Sequence, residues 1–160
     1  MMRPPLLKLH GEEDFALCQA KFGSLYHKEP IYDILGNKVL FEPSRCDHVC
    51  FKSNDEVWNK GPRKQWSQVR AERIPWILPT LYTPYEVRPD IQISGSNKTK
   101  TRLYLLRMDA DFETGMAQEY YCVYTSVEGK KLMRFQTAYP VTREKWNSLR
   151  RIGPCYYPDK

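Results

Sequence analysis

Three groups of residues have types and spacings suited to chemistry. The first is a run of cations among tryptophans: Arg63, Lys64, Arg70 and Arg73 alternate with Trp66 and Trp76. Arg70 and Arg73 stand three apart, so a helix places both on one face. Guanidiniums there can hold an anion bidentately, and the same spacing equally suits a solvated face over an apolar stripe. The second is His48, embedded in a strand-like run, whereas His10 lies near the terminus and His27 beside a turn. Imidazole exchanges a proton near neutral pH and is the usual general acid or base; a partly buried strand histidine is the plainer reading. The third is Cys46, His48 and Cys50, which would share one face of a strand. Structural zinc needs four ligands in paired spacings, and no second pair exists. A Cys50–His48 thiol enzyme fails too, because residues two apart on a strand are too widely spaced to hydrogen-bond. Walker-type loops, dinucleotide fingerprints, zinc-protease histidine pairs and nucleophile elbows are all missing.

The chain that must position these residues has 160 of them, a length suited to one domain (1–160). It holds 25 Lys plus Arg against 19 Asp plus Glu, a net +6, with a pI near 9.0. That balance favours an anionic partner, with nucleic acid ahead of a membrane surface. Hydrophobic residues at 41% and charged residues at 28% suit a globular chain rather than a disordered one. No stretch approaches the roughly 20 apolar residues of a membrane span, and the start lacks a secretory signal's apolar core, so a cytoplasmic location is expected. Five scattered cysteines, an odd number, argue against a disulfide framework.

Periodicity predicts a helix over 12–25 and a hairpin from 31–35 to 38–41 around Gly36-Asn37. Residues 46–51 read as a strand or irregular edge, and 53–62 as turn-rich. Pro75 and Pro79 divide a helical stretch over 63–81 into two short helices meeting near Ile74-Pro75. Strands follow at 90–94, after Pro84 and Pro89 close the helical half, and at 102–107, 119–125 and 132–139, where Pro140 stops the last. Gly95-Ser96-Asn97 turns between the first two of these strands. Thr142 caps a final helix over 143–151. Helices followed by a strand meander define an α+β class. Strict alternation puts Arg102, Tyr104 and Leu106 on one face of their strand, and Met133, Phe135, Thr137 and Tyr139 on one face of theirs.

Taken in order, His48, then Arg70-Ala71-Glu72-Arg73-Ile74-Pro75-Trp76-Ile77, Thr80-Leu81, Pro84-Tyr85-Glu86-Val87, Arg102-Leu103-Tyr104 and Phe135-Gln136-Thr137-Ala138-Tyr139-Pro140 resemble a known group. They look like the phage-associated nuclease domains grouped with barnase, EndoU, the tRNase colicins and RelE, the BECR fold. The resemblance covers residues 31–152 and leaves 1–30 as an N-terminal extension with its helix. It implies helices packed on a four-stranded antiparallel sheet. It also implies a toxin or effector that cleaves RNA without metal or other cofactor, by 2′-hydroxyl attack to a 2′,3′-cyclic phosphate, and that a cognate inhibitor can hold silent. Carried over, His48 becomes the proton-transfer group, Arg73 and Arg102 the stabilisers of transition-state charge, and Thr137 a donor to phosphate. Arg70, Tyr104 and Tyr139 become substrate contacts, the tyrosines stacking bases of single-stranded or tRNA-like RNA. No second histidine is placed as partner acid. The rival class is a non-catalytic RNA- or protein-binding module on the same scaffold.

Overall fold

The computed structural model describes residues 3–27, 29–52, 65–94 and 97–158. The stretch 53–62, Arg63, Lys64 and the turn residues Gly95 and Ser96 lie outside the described residues. A 3-10 turn, Glu12–Asp14, leads into α1 (Phe15–His27). Cys18, Phe22 and Leu25 recur one or two turns apart and are buried, as an amphipathic helix requires. The hairpin follows as β1 (Ile31–Tyr32) and β2 (Lys38–Leu40), turning through Gly36 at φ 83°, a conformation that glycine adopts without penalty.

Residues 46–51 depart from expectation. A 3-10 turn, Pro43–Arg45, feeds α2 (Cys46–Cys50), and only then comes β3 (Phe51–Lys52), which pairs with β4 (Gln65–Trp66). Cys46, Val49 and Cys50 are the buried residues of α2. That is a helical i, i+3, i+4 set, and burying all three in one core outweighs the extended reading. Ser67 caps α3 (Gln68–Glu72), and a 3-10 turn, Ile74–Trp76, joins it to α4 (Ile77–Tyr82). Pro75 opens the turn and Pro79 falls in the first turn of α4, where a missing N–H leaves no helical bond unmade.

The meander is β5 (Glu86–Ser94), β6 (Asn97–Met108), β7 (Glu119–Gly129) and β8 (Leu132–Val141). The sheet has six strands rather than four, ordered β1-β2-β8-β7-β6-β5, because the early hairpin adds itself beside β8. Only β2–β8 is parallel. Pro89 and Pro140 lie inside strands, not at their ends. β5 is an edge, and β2 pairs with no more of β8 than Leu132–Arg134, so each proline sits on a strand with an unpaired side, where its lost N–H breaks no ladder.

One sheet face carries α1–α4. Phe41 stacks on Phe135 at 4.8 Å, and Phe22 packs edge-on to Phe41 at 5.8 Å. The other face carries α5 (Arg143–Leu149), capped by Thr142, whose hydroxyl accepts from Lys145 N–H at 3.1 Å. There Trp146 and Leu149 pack on Leu103, Leu105, Tyr120 and Cys122. The first thirty residues are built into the helical side: Leu7 N–H donates to Glu72 O at 2.9 Å, Trp76 Nε1 donates to Pro4 O at 3.1 Å, and α1 contributes to the same core as the sheet.

Two buried carboxylates tie distant segments together. Asp33 accepts from Leu35 N–H, Asn37 N–H and Asn37 Nδ2, and from Tyr104 Oη at 2.5 Å, pinning the hairpin to β6. Glu86 accepts from Arg88 Nε at 2.8 Å and Arg150 Nε at 2.9 Å. Burial raises the Glu86 pKa, but the bonds from Arg150 and Arg88 outweigh it and hold the carboxyl below the ordinary glutamate value. A depressed carboxyl stabilises the fold above its unfolded pKa and loses that contribution as pH falls through the folded one. Glu86→Gln is therefore expected to lower neutral-pH stability by about 2–3 kcal/mol and to flatten the acid limb of the stability profile, as read by urea unfolding across that range.

Candidate nucleic-acid interface

The site originates in one irregularity of β8. Tyr124 of β7 pairs with Thr137, but its neighbour Thr125 pairs with Phe135, so Gln136 is an extra residue on β8. Such a β-bulge re-aims every side chain beyond it, because facing alternates with a period of two. Met133 and Phe135 enter the helix-side core, whereas Tyr139 joins the α5 side, and Thr137 opens into the groove described next. The expected common face for Met133, Phe135, Thr137 and Tyr139 is thereby corrected.

Beside α5 the sheet face forms a groove of about 770 Å³. Its floor is rich in hydroxyls: Thr101 of β6, Tyr124 and Ser126 of β7, Thr137 and Tyr139 of β8. Arg45 and His48 stand along one side, and Lys145 and Leu149 of α5 along another. The Tyr124 and Tyr139 rings lie 6.1 Å apart and 25° from parallel. Burial, the largest cause, raises the Tyr139 pKa well above the tyrosine range, so it remains a neutral donor. Burial likewise pushes the Cys122 thiol up to about 12, which removes it as a nucleophile.

At the bulge, Gln136 Nε2 donates to Ser126 Oγ at 2.7 Å, Ser126 Oγ donates to Glu128 Oε1 at 3.0 Å, and Arg134 Nε donates to the same oxygen at 3.0 Å. Arg134 also pairs with Glu42. Thr101, across the ladder from Ser126, is 6% exposed, and its Oγ1 has no hydrogen-bond partner among the described residues. A buried hydroxyl in that state costs about 1–3 kcal/mol.

Of the residues singled out from the sequence, His48, Thr137 and Tyr139 line the groove, and the Arg70 guanidinium sits 4.7 Å above the Tyr139 ring. His48 is exposed on α2, away from the buried Cys46 and Cys50. The Cys-His-Cys set thus shares no face, and the described residues contain no group of three residues able to hold a metal. Thr137 Oγ1 donates to the His48 backbone oxygen at 2.9 Å, fastening α2 to β8.

Three residues lie elsewhere. Arg73 is 8% exposed, bound to Glu119 Oε2 at 3.0 Å and Val69 O at 2.9 Å, and lines a separate depression with Glu119. Arg102 alternates with Thr101 and so projects from the other sheet face, its guanidinium 4.9 Å from the Tyr156 ring. Tyr104 is fully buried on Asp33. The four residues carried over as catalytic do not converge. Sequence reasoning missed Arg45, Thr101, Tyr124, Ser126, Gln136 and Lys145; the tyrosine at 124 in an aromatic strand was the one signal available.

Comparison with protein-family models, with curated proteins and with solved structures found no match.

Thr101→Val keeps the β-branched shape and deletes the unpartnered hydroxyl. It is expected to stabilise the fold by about 1 kcal/mol, measured as a rise in the urea midpoint at unchanged slope.

Proposed function

We propose that the groove binds single-stranded RNA. The observation that carries this reading is the near-parallel Tyr124–Tyr139 pair on the floor, with Arg45 and Lys145 lining the same groove. Aromatic platforms bind unstacked bases, and neighbouring cations follow the phosphates. The floor hydroxyls suit contacts with 2′-hydroxyls, which separate RNA from DNA. A paired duplex hides the base faces that such a platform needs. The absence of a membrane-spanning candidate among the described helices does not bear on this choice.

With a labelled short RNA, Tyr124→Ala is expected to weaken binding about tenfold or more in fluorescence anisotropy, since a stacked base contributes about 1–3 kcal/mol. Three phosphate contacts, by Arg45, Arg70 and Lys145, give a log–log salt slope of about −2, each contributing about −0.7 for a single strand. Lys145→Ala should make that slope shallower by one contact. A flat salt response, or no binding at low salt, overturns the reading.

Metal-independent cleavage, the activity implied by the BECR nuclease resemblance, is a second reading, favoured by the exposure of His48 beside the groove. In that step the imidazole takes the 2′-hydroxyl proton as the 2′-oxygen bonds to phosphorus. The phosphorus–O5′ bond breaks, O5′ takes a proton from water while the imidazolium returns its own to solvent, and a 2′,3′-cyclic phosphate and a 5′-hydroxyl result. Arg73 and Arg102 cannot reach this phosphate from their observed places, so Arg45, Arg70 or Lys145 would carry the charge stabilisation. Products that form in EDTA with wild type and vanish with His48→Ala, on a denaturing gel, support cleavage. Tight binding with intact RNA leaves the chain as a binding module.

A further inference from the structure

We infer that the sheet corner formed by Lys38, Lys130 and Lys131 is a second anchoring point for the bound RNA, taking phosphates of the strand beyond the groove. The inference rests on the RNA-binding reading and extends it to ligand length. Ser126, Val127 and Glu128 line the end of the groove, and just beyond them the chain turns from β7 to β8 through Lys130 and Lys131. Lys38 N–H donates to Lys131 O at 3.0 Å, which brings the third lysine to the same corner. Lys38 pairs with Leu132 and Leu40 with Arg134, while Val39 and Met133 between them enter the helix-side core. Alternation therefore puts Lys38 and Arg134 on the opposite face, the one that carries the groove.

The cations of this corner are uncommitted. All three lysines are exposed, and none has an ion pair among the described residues, whereas Arg134 is shared by Glu42 and Glu128. Lys131 has φ 59°, a conformation that glycine or asparagine adopts at less cost. A lysine there points to a use for its ammonium outside the fold. Glu42, Glu128 and Arg134 together leave one negative charge at the boundary, so phosphate is disfavoured there and held on either side of it. Lys130 lies six residues past Tyr124, which is about 20 Å at a strand rise of about 3.3 Å. The Debye length is about 8 Å at physiological salt. The corner therefore contributes to binding only when the RNA itself reaches it.

Oligouridine RNAs of about 4 and about 12 nucleotides, within the range of single-strand site sizes, separate the two anchoring points. Each is titrated by anisotropy against the full chain at several salt concentrations. The short RNA is expected to give the groove's log–log slope of about −2, with wild type and with a Lys38→Ala, Lys130→Ala, Lys131→Asn variant alike. With the long RNA the wild-type slope should steepen to about −4, because three more contacts add about −0.7 each. The triple variant, its folding checked by urea unfolding, should return that slope to about −2. Lys21→Ala, which removes an exposed charge from α1, should leave it unchanged. A wild-type slope independent of RNA length overturns the inference and leaves the groove reading intact. A steep slope that survives in the folded triple variant, or one that Lys21→Ala also makes shallower, overturns it too. No binding of the short RNA at low salt overturns the groove reading and this one together.

Discussion

The groove depends on a phase conflict between two cores that share one strand. The first half of β8 is locked by Phe135, which stacks on Phe41 and lies against Phe22. The second half is locked on the other face, where Tyr139 and Val141 pack with Trp146 and Leu149. A regular strand cannot satisfy both, since its alternation would send Phe135 and Tyr139 to the same side. One inserted residue resolves the conflict, and Gln136 is that residue. Each aromatic contact contributes about 0.5–1.5 kcal/mol beyond its burial, so sliding the register back would forfeit contacts on both faces at once.

The basic composition overstates the cation available to a ligand. Arg73 is committed to Glu119, Arg88 and Arg150 to Glu86, and Arg134 to Glu42 and Glu128. Arg102 and Arg107 lie over Tyr156 and Tyr85. A planar guanidinium that pairs bidentately and stacks on rings makes a good structural fastener, and this chain uses it repeatedly to tie segments far apart in sequence. A net charge of +6 is consequently concentrated in effect on fewer positions. Arg45 and Lys145 line the groove, whereas the guanidinium at 73, suggestive by its spacing from Arg70, serves the packing of Trp76.

What was legible in the sequence came from signals contained within a few residues. The break at Pro75, the Thr142 cap and the aromatic strand around Tyr121 each announce themselves locally and lie close to where they were expected. The expected tight Gly36-Asn37 turn is instead the end of a longer loop, 33–37, because Asp33 accepts from Leu35 and Asn37 and Tyr32 already pairs with Lys38. The other failures are non-local. Five residues at 46–50 are too few to show a helical period, and their burial is decided by α1 and β8 packing against them. Pro89 and Pro140 read as strand ends until the strand order shows which sides lack partners. A bulge exists only relative to the strand across from it. Thr101 and Ser126, separated by most of a hairpin, become neighbours through pairing that no short window contains. For Arg102, alternation with Tyr104 was read correctly, and that same alternation is what carries it away from His48.

The relation between Thr137 and His48 shows how structure and any chemistry are joined here. The resemblance to BECR nucleases implies a hydroxyl that meets phosphate, yet the Thr137 proton is held by the His48 backbone oxygen. Its lone pairs remain to accept, not donate, so the residue's first effect is to fix α2 against the open edge of β8. That contact is available only because the bulge turns Thr137 out of the core. The imidazole thus takes its place beside the groove from the register of a strand it does not belong to. The positions of the Tyr139 ring and the His48 imidazole are consequently not independent: a change that slips β8 by one residue displaces both together, whereas trimming either side chain removes only one.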